Sequence, residues 1–204
     1  MLATYEVERR PVAIRNTGYA RRLADSLGLF LPVPEIEVDE PEGAKAREIA
    51  GAHLEAHARA EFNIPGVTFG GRYDGSAIII ADGTQPPPDT ANLYVPTACP
   101  GGRAPHIWLD QNKSLFDVFG FEWTLLRMGR DNAASSGLIS SARTAGLELE
   151  VVDIAEPAVR ELYEADFALV RPDQIVAWRG NSIPDPTGLL STVTGHPVDM
   201  PAIA

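Results

Sequence analysis

The stretch "EWTLLRMGRDNAASSGLISSARTAGLELEVVDI", residues 122–154, decides the fold. "EWTLLRM" (122–128) is a continuous apolar run of strand length. "AASSGLISSARTAG" (133–146) has small and apolar residues at helical spacing and stops at Gly146. "LELEVVDI" (147–154) reads as a second strand with partial alternation. Two strands joined through a helix need a crossover, so this pair is expected to be parallel.

Downstream, "AVRELY" (158–163) reads as a short helix, and "PTGLLSTVTG" (186–195) as a last one. "FALVRP" (167–172) and "QIVAWR" (174–179) are strands too closely spaced for a crossover and predict an antiparallel hairpin. The order is therefore strand, helix, strand, short helix, strand, strand, helix. It is the element order of the thioredoxin fold: an α/β domain with a central mixed sheet flanked by helices. A thioredoxin-type redox centre would place two cysteines at the start of the first helix. The corresponding "MGRDNAASS" has none, and Asp131 or Asn132 reads there as a helix N-cap. Dithiol chemistry is not expected.

Upstream, a helical segment precedes this domain. Residues 2–27 read as helical with Gly28 as the stop, and Pro11 predicts a kink or two helices in series. "LPVPEIEVDEPEG" (31–43) reads as an extended connection. Residues 44–62 predict an amphipathic helix with Ala46, Ile49, Ala50, His53, Leu54, His57 and Phe62 along one side. "SAIII" (76–80) reads as a buried strand between two Asp-Gly turns, and 84–102 as a long loop. The expected division is a helical segment at 1–68, a connecting hairpin and loop at 69–102, and a thioredoxin-like domain at 103–204.

The net charge of −11 opposes nucleic acid and anionic membrane as partners, because phosphates would be repelled. The cluster Glu8-Arg9-Arg10 with Arg15, Arg21 and Arg22 reads as a solvated helix face. A single cysteine, Cys99, excludes an intrachain disulfide and points to a reducing, cytoplasmic compartment. No apolar run is long enough to span a membrane as a helix.

Three patterns carry potential chemistry. Cys99 and His106 lie in one Pro-Gly-rich loop, where a thiol and an imidazole could meet as nucleophile and base. No separate element positions the base, and a lone cysteine more often packs as a small hydrophobe. His53, His57 and Glu61 are successively four apart on one helical face, a spacing that can hold a metal. The pattern lacks the Glu next to the first His that a zinc-hydrolase helix uses, and no third element offers a ligand. "GGRYDG" (70–75) lacks both the Gly-x-Gly-x-x-Gly spacing and the Walker lysine, so it reads as a turn rather than a phosphate loop.

Six stretches taken together carry a resemblance: "TYEVERRPVA" (4–13), "FGGRYDGSAII" (69–79), "PGGRAPHIWLD" (100–110), "SLFDVFG" (114–120), "WTLLRMG" (123–129) and "ADFALVRPDQIVAWRG" (165–180). In order and register they resemble the C-terminal part of the FAD-dependent aromatic-ring hydroxylases: the phenol, dichlorophenol, hydroxyphenylpropionate and polyketide hydroxylases. The departures are small, Trp123 standing where phenylalanine is more common and Gly102 where alanine is.

The resemblance implies a flavoprotein monooxygenase that uses FAD and NAD(P)H. Its flavin motifs would lie before the helix bearing Tyr5, Glu8, Arg9, Arg10 and Pro11. This chain alone is then expected to carry no cofactor, to supply no catalytic residue and to be inactive by itself. It also implies a cysteine-less thioredoxin-like domain that packs on an upstream FAD and substrate domain, or on a separate flavin subunit, with Arg103, His106 and Trp108 as interface candidates. Helices without their usual cover are expected to self-associate into a homo-oligomer. The alternatives are a stand-alone, non-redox interaction module docking on a separate flavin protein, and a small metal-binding protein using His53 and His57.

Overall fold

The computed structural model describes residues 4–129 and 132–196. These fall into two compact units. One holds the described parts of Met1–Arg10, Arg72–Pro88 and Val95–Ala204; the other holds Pro11–Gly71 and Asp89–Tyr94.

The first unit is built on a four-stranded mixed sheet. Strands β1 (Trp123–Arg127), β2 (Leu149–Asp153), β3 (Phe167–Val170) and β4 (Val176–Gly180) lie in the order β2-β1-β3-β4. β1 and β2 are parallel, with Leu125 opposite Val151, while β3 runs antiparallel to both β1 and β4. This is the thioredoxin-like arrangement, with the crossover and hairpin where the sequence puts them.

Every residue of β3 and the first four of both β1 and β4 are buried, as a sheet covered on both faces requires. On one face Leu125, Phe167 and Leu169 pack with Leu138 and Ala142 of α4 (Ser136–Thr144) and Leu190 and Val193 of α6 (Pro186–Thr194). On the other, Leu126, Ala168 and Val170 pack with Val159 and Tyr163 of α5 (Pro157–Tyr163), and with Ala98, Ala104 and Leu115 from the segment before β1.

Local chemistry sets the helix ends. Asp185 caps α6 by accepting from the Gly188 amide at 2.9 Å, Pro186 opens it, and Gly195 at φ 69° closes it. The hairpin turns through Gln174 at φ 65°, with a bulge between Leu169 and Val170. The expected cap Asp131 lies outside the described residues, as does the side chain of Asn132; a 3₁₀ turn, Asn132–Ser135, precedes α4.

"SAIII" is not a strand. Turn bonds from the Ser76 amide to Tyr73 and from the Ile79 amide to Ser76, both 3.2 Å, curl the segment. Only the Ile80 amide reaches the sheet, donating to the Ala177 carbonyl at 2.9 Å. Burial alone therefore explains its apolar run: Ile78 is enclosed, and Ile79 and Ile80 pack beside the sheet core.

Helix α1 (Tyr5–Gly28) begins in the first unit and continues into the second. It runs through Pro11 as one element rather than as two helices in series. Proline deletes only one backbone donor, and the hydrogen bonds on either side keep the helix together.

The rest of the second unit contains a 3₁₀ turn (Pro34–Glu37), α2 (Pro41–Phe62) and α3 (Pro65–Phe69). α2 opens at Pro41, inside the segment expected to be extended, because proline suits a first helical position. Its apolar side is largely uncovered: Ile49 and Phe62 are 63% and 80% exposed, whereas His57 is buried.

Candidate functional site

The interface candidates sit on a segment that pairs with the sheet edge. The Gly101 amide donates to the Val176 carbonyl at 2.8 Å, the Val176 amide to Gly102 at 3.0 Å, and the Ala104 amide to Gln174 at 2.8 Å. Gly101 permits this turn with φ 90°, a conformation that suits glycine. Arg103 bridges to Ile175, sets its guanidinium 4.4 Å from the centre of the Phe116 ring and donates to Gln174 Oε1 at 3.3 Å. His106 packs edge-on against Trp108 at 5.1 Å and tilted against Phe116 at 5.5 Å. Trp108 itself is 62% exposed. The structure thus sets Arg103 and His106 against Phe116, and Trp108 against His106 in turn.

Cys99 has different neighbours. Its buried Sγ accepts from Arg72 Nη2 at 3.4 Å and donates to the Thr84 carbonyl at 3.4 Å, while the His106 ring lies among aromatics. The thiol is held as a packed group with satisfied polar contacts.

His57 Nε2 meets Glu61 Oε2 at 3.1 Å, and His53 stacks on Phe30 at 5.5 Å. His57 Nδ1 and His53 Nε2 are buried without a hydrogen-bond partner among the described residues. No group of three metal-ligating side chains occurs among the described residues. His53 and His57 are consistent with packing histidines on α2.

Buried arginines dominate the polar chemistry of the first unit, and composition did not disclose them. Arg171 and Glu8, both 5% exposed at the side chain, form an ion pair at 2.7 Å, and Ser76 Oγ also donates to Glu8 at 2.6 Å. Glu8 is thus not on a solvated face. Burial alone would raise its carboxyl, but hydrogen bonds from Arg171 and Ser76 and the Arg171 charge outweigh that and hold it below the ordinary glutamate value.

Arg179 donates to Asp82, Thr84, Glu164 and the Tyr163 carbonyl at the end of α5, all within 3.0 Å. Asp82 is likewise depressed: burial raises it, but the Arg179 contact and bonds from Thr84 prevail. In the second unit Arg15 forks onto Asp89 at 2.6 Å and caps the Gly66 carbonyl at 2.7 Å, again off the solvated face the sequence suggested.

At Gly129 the chain leaves no room for a flavin pyrophosphate. Such a group needs open glycine backbone where a strand enters a helix. At Gly129, after β1, the space a Cβ would occupy is already taken by the Asp166 side chain at 2.7 Å, and a carboxylate there repels phosphate. Asp166 is in turn paired with Arg160 at 2.7 Å.

The aromatic-ring hydroxylase C-terminal family matches residues 97–197, the span that includes the Arg103–Phe116 cluster and the whole sheet. The chain belongs, through that span, to the aromatic-ring hydroxylase family. Curated relatives agree. FAD-dependent monooxygenase apdD of Emericella nidulans is 33% identical over 89% of this chain and 31% of its own length. Phenol 2-monooxygenase of Pseudomonas sp. (strain EST1001) is 30% identical over 96% of this chain and 38% of its own length.

The rebeccamycin biosynthetic enzyme RebC, solved with reduced flavin, superposes with a TM-score of 0.84 at 37% identity, over 96% of this chain and 36% of RebC. The chain spans about a third of the length of the relatives it matches. It corresponds to the C-terminal region of these hydroxylases. Among the described residues no helix is long and apolar enough to cross a membrane.

Proposed function

We propose that this chain is the C-terminal portion of an FAD-dependent, NAD(P)H-using monooxygenase that hydroxylates a phenolic or polyketide ring. It serves in domain packing or subunit association rather than in flavin chemistry. The observation that carries this reading is the end-to-end likeness to the C-terminal region of such hydroxylases. When bound to the rest of the enzyme, the flavin supplies the oxygen-transfer chemistry. This chain's residues bind and orient the protein around it.

In that role Arg103, His106 and Trp108 face the partner portion. An exposed tryptophan backed by a histidine and a phenylalanine has the make-up of an interface anchor. Partners are the upstream FAD and substrate domain or a separate flavin subunit, in the cytoplasm.

The test is to express the chain joined to, or together with, the flavin-bearing sequence encoded upstream, and to measure phenol-dependent NAD(P)H oxidation. The expected result is activity only when both portions are present. Equal activity without this chain, or turnover by this chain alone, overturns the reading.

A further inference from the structure

Of the 24 residues of α1, Glu8 alone is buried. Its neighbours in the first two turns face outward, Tyr5 at 63% and Val7 at 54% exposed. The stretch Tyr5–Arg10 belongs to the first unit, and what fixes Glu8 there is polar. Glu8 accepts from Arg171 Nη1 at 2.7 Å, Arg171 Nη2 at 3.1 Å and Ser76 Oγ at 2.6 Å, and the Arg9 guanidinium lies 5.3 Å from the Tyr73 ring centre. A segment with so little buried apolar surface belongs to the low end of local stabilities.

Pro11 stands at the residue where α1 passes from the first unit to the second. It has no amide, so the Val7 carbonyl lacks its usual helical donor. Beyond it the helix has its own anchor: Arg15 bonds Asp89 at 2.6 Å and the Gly66 carbonyl at 2.7 Å. The first two turns are therefore free to lift without unwinding the rest.

Arg171 is provided for in either case. Asp173, two residues along the same turn, accepts from Arg171 Nε at 3.1 Å and from Nη2 at 3.0 Å. With Glu8 seated, Arg171 serves two carboxylates. With Glu8 lifted, Asp173 remains, and Glu8 passes into water beside Arg9 and Arg10. Neither arrangement strands a buried charge, as an element with two discrete states requires.

We propose that Tyr5–Arg10 is a strap that opens and closes on the first unit, hinged at Pro11 and latched by Glu8 on Arg171 and Ser76, with Asp173 holding Arg171 when the strap is off. The two carboxylates then act in opposite senses. Removing the charge of Glu8 weakens only the closed state. Removing the charge of Asp173 weakens the open state more, because there it is the carboxylate left on Arg171. It also relieves the closed state of a like charge near Glu8. A rigid cluster behaves differently: loss of either carboxylate loosens it. The inference does not rest on the flavin reading, because the contacts of Glu8, Arg171 and Asp173 carry it.

The experiment is amide hydrogen exchange on the purified full chain, read residue by residue by NMR. The helical amides of Arg9 and Arg10 report the strap, those of residues 16–28 the rest of α1, and those of Leu125 and Leu169 the sheet. In the unsubstituted chain the strap amides are expected to exchange faster than the sheet amides. Glu8→Gln is expected to speed them by about tenfold or more, and Asp173→Asn to slow them by about threefold. Residues 16–28 are expected to hold their rates in both variants. Asp173 is partly exposed, so Asp173→Asn and the unsubstituted chain test the proposal even where Glu8→Gln does not fold.

Strap amides no faster than the sheet overturn the proposal. So do an Asp173→Asn variant whose strap amides are unchanged or faster, and a folded Glu8→Gln variant whose strap amides are unchanged. Residues 16–28 speeding along with the strap overturn it too, because α1 then melts as a whole.

Discussion

Arg171 and Glu8, separated by 163 positions in sequence, are held 2.7 Å apart with both side chains almost wholly buried. The pair ties the first turns of α1 to the β3–β4 hairpin, within one compact unit. Tyr73 lies beside it, its ring centre 5.4 Å from the Arg171 guanidinium, and Asp173 adds a second carboxylate at 3.0 Å.

Removing one partner leaves a buried charge uncompensated. Arg171→Met is expected to cost about 3–5 kcal/mol in urea unfolding, and Glu8→Leu combined with Arg171→Met considerably less than either single change. A double variant as unstable as the sum of the singles would show that the two side chains act independently.

The same pair sets an acid limit. Glu8 and Asp82 have folded-state values below those of the unfolded chain, so each contributes stability that is fully present above the ordinary carboxylate range. That contribution is lost as pH falls through the depressed folded-state values. Asp89 acts in the same direction: bonds from Arg15 lower it and burial only partly opposes them. Stability is expected to decline progressively below about pH 4.5, the usual glutamate value. Glu8→Gln should flatten that decline while lowering stability at neutral pH. An unchanged acid slope in Glu8→Gln would remove Glu8 from this role.

Cys99 is 3% exposed and engaged by Arg72 and Thr84. Its thiol should react with a disulfide reagent only as fast as the chain opens. Cys99→Ser keeps a donor and an acceptor in place and is expected to cost about 1 kcal/mol. Rapid native-state labelling would contradict this placement.

Trp108 is 62% exposed, so Trp108→Ala should change the stability of the isolated chain by no more than about 0.5 kcal/mol. Its effect should appear instead as weaker association with the flavin-bearing portion, read by calorimetry. Arg103→Ala should cost the isolated chain about 1 kcal/mol, because it loses the contact over Phe116 and the bond to Gln174.

The sheet and its helices were legible in the sequence because each element carries its own punctuation: Gly146 after α4, Pro157 opening α5, Pro186 and Gly195 around α6. "SAIII" misled because an apolar run signals burial, and burial does not require a ladder. Pro11 does not split the segment into two helices, because the penalty of one missing donor is smaller than the cohesion of a 24-residue helix. Glu8 looked solvated because its neighbours Arg9 and Arg10 are exposed, and nothing local announces a partner on a distant hairpin. The signal lay in the two family-like stretches, "TYEVERRPVA" and "ADFALVRPDQIVAWRG", which hold Glu8 and Arg171 respectively. Arg103, His106 and Trp108 stand close together in the sequence, but the ring that Arg103 and His106 share, Phe116, was not legible as their neighbour.

The central claim is that the flavin belongs to another portion of the enzyme and that this chain packs against it. The direct measurement is to mix the purified chain with excess FAD, remove free flavin by gel filtration, and record the visible spectrum. The account predicts a colourless protein fraction with no flavin bands. A yellow fraction carrying stoichiometric FAD would contradict it.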